Sequence, residues 1–298
     1  MKRTGFLYDE RFLNHVTGPY HPEVPERLKA IYQGIEQKGL LEHLTIIPAQ
    51  PAARMWIELV HDKDYVDRFE AACRDGETTF DSPDNHMGPE TYQTALLAVG
   101  GVLETIDRII ADEIDNAFCA VRPPGHHAER SKAMGFCYLN NAAIAAAYLQ
   151  TQWFLQRVAI IDIDVHHGNG TQHLFEEDGT VFYYSIHQHP SFAYPGTRLA
   201  FDAGEKRGLG YTCNSTVLPG QGDDFYKEAI ARDLVTAMQR FRPEFIIVSV
   251  GFDAHVDDDM SDVALSTEGY SWLMEQLVEI SMRHADGKLI SVLEGGYD

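Results

Sequence analysis

The chain has 298 residues, 44% of them hydrophobic and 23% charged, enough to bury a large core in one α/β unit. Its 24 Lys and Arg against 45 Asp and Glu leave a formal charge of −21, which argues against nucleic acid or an anionic membrane as a direct partner. The same balance suits a cationic substrate, a lysine-bearing peptide or a polyamine, and suits equally well a surface that is merely soluble and acidic.

In chain order, residues 5–8 read as a first strand, and a polar loop runs from His15 to His21. Pro25 suits a first helical position, with Leu28, Ile31, Tyr32 and Ile35 at helical spacing behind it. Residues 44–48 form a short strand. Residues 54–73 form a helix with Trp56, Leu59, Val60, Val66 and Phe69 turned inward. A turn-rich loop over 75–88 precedes a strong helix over 89–110, whose Gly100-Gly101 pair lets a neighbour pack closely. Residues 117–121 are the next strand, and Asn140 or Asn141 caps an Ala-rich helix that runs to Leu149. Then follow a strand over 157–161, a short helix over 171–176 and a strand over 181–187. A long Gly/Pro-bearing loop over 188–211 leads to a strand over 212–218 and a helix over 223–241. A buried strand over 245–250, a helix over 267–284 and a last strand over 288–293 complete the chain. Such alternation predicts an α/β fold, a mostly parallel sheet with helices on both faces. With no repeat, linker or low-complexity stretch, residues 1–298 read as one domain. Cys73, Cys119, Cys137 and Cys213 make no Cys-x-x-Cys pair, so neither a zinc knuckle nor a disulfide framework is indicated. There is no signal-peptide pattern and no 18-residue apolar run, so a reducing cytoplasm is the expected compartment.

The chemistry collects at strand exits. Ile161-Asp162-Ile163-Asp164-Val165-His166-His167-Gly168-Asn169-Gly170 follows an apolar, β-branched strand. Ligands gather at such exits in open α/β sheets. Asp164 and His166 are two apart and share a face in extended chain. Asp253 leaves the strand over 245–250 and supplies a third ligand. Two carboxylates and one imidazole leave a position open for water or substrate, the pattern of a catalytic zinc site. Its neighbours Asp257, Asp258 and Asp259 read as loop surface. His126 and His127, after a Pro-Pro-Gly turn, suit general base and general acid roles. Tyr297, after two glycines, can donate to a developing oxyanion. Any one of these alone is more simply a cap, a structural histidine or a core-edge tyrosine; their convergence on four strand exits favours catalysis.

Arg122-Pro123-Pro124-Gly125-His126-His127-Ala128, Gly135-Phe136-Cys137-Tyr138-Leu139-Asn140-Asn141, the stretch from Asp162 to Gly170, Tyr194-Pro195-Gly196-Thr197, Gly251-Phe252-Asp253-Ala254 and Glu294-Gly295-Gly296-Tyr297 together resemble the zinc-dependent histone deacetylase family. That group also holds acetylpolyamine amidohydrolases and acetoin-utilisation proteins, and Arg122-Pro123-Pro124 with Asn169 looks like its class II branch. The resemblance implies the arginase/deacetylase fold and attack of metal-activated water on an N-acetyl amide. By the same resemblance Asp164, His166 and Asp253 hold zinc, or Fe(II). His127 is base and then acid, His126 its electrostatic partner, and Asp162 and Asn169 orient the two rings. Tyr297 donates to the carbonyl oxygen. Gly135, Phe136, Tyr194 and Met260 border the acyl-lysine channel, Ser82 or Asp81 holds the substrate at the rim, and Arg27 lines an inner channel for acetate. Potassium is implied at Asp162, Asp164, His166, Ser185 and Ile186, and again at Phe175, Asp178, Val181 and Tyr211. Two departures stand out. Val256 to Asp262 replaces a Pro-Leu-Gly-Gly-like segment, which puts Met260 where relatives carry a channel leucine. The sequence also stops one residue after Tyr297, where relatives continue with a helix.

The leading expectation is removal of an acetyl or similar acyl group from lysine side chains of peptides or proteins. An acetylated polyamine or other small amide is the near alternative; a glutamate in place of Met260 would have favoured it. Arginase chemistry wants another acid beside His166, where His167-Gly168 stands. A catalytically idle acyl-lysine-binding module would have lost a ligand, the histidine pair or the tyrosine, and none is missing. Oligomeric state is open.

Overall fold

The computed structural model describes residues 3–197 and 199–298. Among these residues ten strands form: β1 (Thr4–Leu7), β2 (Leu44–Ile47), β3 (Thr79–Phe80), β4 (Ser82–His86), β5 (Asn116–Cys119), β6 (Val158–Asp162), β7 (Val181–Gln188), β8 (Thr212–Val217), β9 (Phe245–Val250) and β10 (Leu289–Leu293). Eight of them make one sheet in the order β2-β1-β5-β10-β9-β6-β7-β8, and every pairing in it is parallel. The inner strands β6, β9 and β10 are buried at every position. Their near-continuous apolar runs, rich in Val, Ile and Leu and without alternation, are what a sheet covered on both faces requires.

The period of two divides the sheet into two cores. Ile160, Tyr183, Ile247, Ile290 and Val292 pack on one side. They meet α1 (Glu26–Gln37), α2 (Arg54–Ile57), α3 (Lys63–Arg74), α4 (Thr91–Ile110) and α5 (Asn141–Gln152). Ile161, Phe182, Tyr184, Ile246 and Val248 point the other way. After the short α6 (Asn169–Phe175), the helices of that second face are α7 (Asp223–Ala229), α8 (Val235–Phe241) and α9 (Thr267–His284). Burying each such large apolar side chain contributes about 1.5–3 kcal/mol.

Three elements depart from the sequence expectation. The helix foreseen over 54–73 is broken into α2 and α3. Between them Asp62 N–H reaches the Arg130 carbonyl at 2.9 Å and His61 Nδ1 the Glu129 carbonyl at 2.9 Å, so long-range bonds win over helix continuity. Leu59, in that break, is exposed rather than inward. The loop over 75–88 contains the β3/β4 hairpin, turning at Asp81 with φ 59°. The helix over 223–241 contains a π-wound turn, Ile230–Leu234. Asn140, not Asn141, caps α5, accepting from Ala143 N–H at 3.0 Å. The cysteines are all free, and no helix among the described residues is long and apolar enough to cross a membrane.

Candidate active site

Strands β5, β10, β9 and β6 lie side by side in the sheet, and each discharges polar residues at its carboxyl end. The chain after β5 carries His126 and His127. Asp162 ends β6, with Asp164 and His166 just beyond; Asp253 follows β9, and Glu294 to Tyr297 follow β10. Side chains from His126 to Tyr297 thus meet at one crevice because the strand order brings them there.

One ligand atom each from Asp164, His166 and Asp253 lies within 4.8 Å of the others. His166 Nδ1 is 3.2 Å from Asp164 Oδ1 and 3.1 Å from Asp253 Oδ2. All three side chains are buried. Burial and the Asp164 charge push Asp253 up to about 6. Burial also opposes a charge on His166, yet its bonds to the two carboxylates raise it to about 10. Two acids this close demand positive charge between them. The backbone makes room for them: a Cβ on Gly251 would sit 2.1 Å from Asp164 Oδ2, and one on Gly295 2.1 Å from Asp253 Oδ2. Donor set, spacing and cradle all fit a divalent cation. A second grouping, His126, Cys137 and Glu294, is also compact, but its groups are committed. Glu294 accepts Gly125 N–H at 2.6 Å, His126 N–H at 3.1 Å and the Ser249 hydroxyl at 2.9 Å, and burial pushes the Cys137 thiol well up.

The rings of His126 and His127 are 4.0 Å apart and are driven in opposite directions. His126 Nδ1 is 3.0 Å from Asp162 Oδ2. Burial disfavours its charge, but Asp162 and Asp164 outweigh that and raise it well above the usual histidine range. His127 Nδ1 is 2.7 Å from Asn169 Oδ1. Burial and the adjacent His126 lower it well below that range. One imidazole is held charged and its neighbour neutral, the separation that lets two like groups take different roles.

A cavity of about 200 Å³ leads to these groups, lined by Asp84, His127, Gly135, Phe136, His166, Tyr194, Met260 and Tyr297. Gly135 has φ 57°, and a Cβ there would come 2.3 Å from His127 Cδ2. Tyr194, after which the peptide to Pro195 is cis, stands with its ring 5.0 Å from that of His127. Neither expected rim residue lines this cavity. Asp81 is spent on Arg68 at 2.7 Å and Ala133 N–H at 2.9 Å, and Ser82 pairs with Phe80 in the hairpin. The hairpin instead brings Asp84 to the mouth, its carbonyl accepting from His21 Nε2 at 3.0 Å.

Arg27 is buried and each of its guanidinium nitrogens has a partner: Nε the Gly296 carbonyl at 2.5 Å, Nη2 the Glu294 carbonyl at 2.6 Å and Nη1 Glu23 at 2.9 Å. It clamps the strand exit that carries Tyr297 and lines a cavity of about 320 Å³. Asp258, expected at the surface, is only 4% exposed and accepts Tyr297 N–H at 2.6 Å. Of the positions tied to potassium, Asp162 and Ser185 are paired across β6 and β7, and Ile186 is buried next along β7. Phe175, Asp178, Val181 and Tyr211 surround the turn between α6 and β7, where the Phe175 carbonyl accepts Asp178 N–H at 2.9 Å and the Tyr211 carbonyl accepts Tyr183 N–H at 2.9 Å.

Residues 21–298 match the histone deacetylase domain family. A "probable deacetylase" of Archaeoglobus fulgidus is 38% identical over 99% of this chain and 81% of its own length. The "histone deacetylase-like amidohydrolase" of Pseudomonas aeruginosa is 36% identical over 99% of this chain and 82% of its own. The solved HDA15 HD domain superposes with a TM-score of 0.92 at 34% identity, covering 100% of this chain and 85% of that one.

Proposed function

The chain belongs to the histone deacetylase domain family and is a hydrolase of the deacetylase and amidohydrolase kind, and from that premise we propose that it cleaves the amide of an N6-acyl-lysine side chain in peptides or proteins. The supporting observation is the narrow cavity between Phe136, Tyr194 and Met260, with His127, His166 and Tyr297 also in its lining. Apolar walls suit a long side chain whose charge acylation has removed, and the polar groups beyond suit the amide.

Asp164, His166 and Asp253 would hold one divalent cation, zinc or alternatively Fe(II), which would polarise the acyl carbonyl and acidify water at its open position. His127, kept neutral, takes the proton from the attacking water and passes it to the leaving amine. His126, kept charged by Asp162, steadies the negative charge that grows as the carbonyl opens. Tyr297, its phenol raised well above its usual range by burial, stays protonated and donates to that oxygen. Potassium would sit at Asp162, Asp164, His166, Ser185 and Ile186, bracing β6 against β7, and at Phe175, Asp178, Val181 and Tyr211.

A second reading, an acetylated polyamine as substrate, is favoured by the Asp84 carboxylate at the mouth. Kinetics of the zinc-loaded protein on an acetyl-lysine peptide beside acetylspermidine and acetylputrescine decide between them. We expect the highest kcat/KM on the peptide, loss of activity with a chelator and recovery with Zn²⁺. A preference for the polyamines rejects the acyl-lysine assignment, and full activity in metal-free protein rejects the mechanism.

A further inference from the structure

Asn169 holds the His127 ring, and a side-chain amide can face a ring oxygen first or nitrogen first. The choice matters chemically. With the oxygen toward Nδ1, that nitrogen carries the proton and the lone pair is left on Nε2, ready to accept a proton. With the amide nitrogen toward Nδ1, the proton moves to Nε2 and the ring cannot act as a base there. A carboxylate at position 169 would be indifferent, since both its ends accept. The amide needs something to choose for it.

The structure assigns that task to Glu129, as a positioning residue acting through Asn169; this deepens the proposed hydrolysis and rests on it. Asn169 Oδ1 faces His127 Nδ1 at 2.7 Å, and Asn169 Nδ2 is 2.5 Å from Glu129 Oε1. The other groups near Nδ2 are the His127 carbonyl at 3.5 Å and Met134 Sδ at 3.4 Å. None of these can donate, so the amide nitrogen belongs on that side and the oxygen on the other. Glu129 has by far the closest approach and, when ionised, is an acceptor only. Its Oε1 also lies 2.8 Å from His173 Nδ1, whose side chain is 37% exposed. A chain His173–Glu129–Asn169–His127 therefore runs from the surface to the cavity. The negative charge that a carboxylate at position 169 would place against the histidine stands one residue further out, and what reaches His127 is an orientation.

A bland account has Glu129 merely bracing its loop, since its carbonyl also accepts from His61. The test must separate the two. Glu129→Leu removes the acceptor at similar volume, and Glu129→Ser, too short to reach Asn169, serves if the leucine variant does not fold. Glu129→Gln keeps an oxygen that can accept the same bonds. On the acetyl-lysine peptide we expect kcat to fall about 10- to 100-fold in the leucine or serine variant with KM within about twofold, the usual scale for a residue that orients a functional imidazole. The glutamine variant should recover most of the loss. In an Asn169→Asp background no orientation is needed, and the new carboxylate would stand against that of Glu129, so there Glu129→Leu should no longer lower kcat. Histidine-selective ¹⁵N NMR, with His127 assigned by its own substitution, should show the protonated Nδ1 form in the parent and a mixed or Nε2-protonated form in Glu129→Leu. That spectrum needs no turnover, so it stands even if the acyl-lysine assignment fails. A Glu129→Leu protein with an unchanged His127 signature, or one whose kcat loss persists undiminished in the Asn169→Asp background, overturns the inference.

Discussion

At the scale of single residues, Tyr297 has little freedom. The Arg27 guanidinium lies 4.8 Å over its ring and Asp258 fixes its N–H at 2.6 Å. A phenol so held suits the oxyanion-donor role proposed for it. Tyr297→Phe should lower kcat on an acetyl-lysine peptide by about 10²- to 10³-fold while zinc affinity, measured by competition with a chelating dye, stays unchanged. A phenylalanine variant at the wild-type rate would remove Tyr297 from the mechanism. Which of these residues were legible in the sequence follows a physical line. Asp164 and His166 stand two apart beyond a recognisable strand, and Asp253 follows another, so period and position expose them. Asp258, Asp84 and Glu129 carry no such signature. Each gains its partner from a segment at least 39 residues away, as Glu129 does from Asn169, 40 residues on, and only the fold brings these segments together.

At the scale of elements, α4 owes its close approach to the 50–52 segment to one missing methyl group. A Cβ on Gly100 would lie 1.8 Å from the Gln50 carbonyl oxygen and 2.6 Å from Ala52 N, backbone that has nowhere to move. Gly100→Ala should therefore destabilise by at least about 1–3 kcal/mol in urea titrations. Gly34→Ala, in α1 with nothing within 4 Å of the added carbon, should stabilise by up to about 1 kcal/mol. Equal effects at both sites would refute the steric account. The sequence announced this contact through the Gly100-Gly101 pair, and it announced β9 and α9 with their observed ends. It could not show that α2 stops at Ile57. Local spacing there supports a continuing helix, and what interrupts it is the Asp62 N–H, drawn to the Arg130 carbonyl instead of a helical acceptor, with the His61 ring anchored on the Glu129 carbonyl beside it.

At the scale of the whole molecule, Glu23 joins segments that are far apart in the chain. Fully buried, it pairs with Arg122 and with Arg27 at 2.9 Å, and Arg27 in turn holds the carbonyls of Glu294 and Gly296. Burial disfavours the Glu23 charge, but the arginines prevail, Arg122 first, and keep its carboxyl well below 4.5. Unfolded chains bind a proton on this group before folded ones do as the pH falls. Its contribution is therefore complete above about pH 4.5 and fades below it as the native carboxyl titrates. Glu23→Gln should cost about 3–5 kcal/mol near neutrality, because two arginines stay buried without their anion. Its melting temperature should also fall less steeply between about pH 5 and pH 2.5 than that of the wild type. Parallel slopes would show that acid lability lies elsewhere. Strand β10 has a position of the same reach, since it lies between β5 and β9 although it follows every other strand in the chain. Without β10, the β2-β1-β5 and β9-β6-β7-β8 blocks are two half-sheets with facing open edges. Until β10 slots between them, those two edges are where the folding chain is most exposed to pairing with a neighbour.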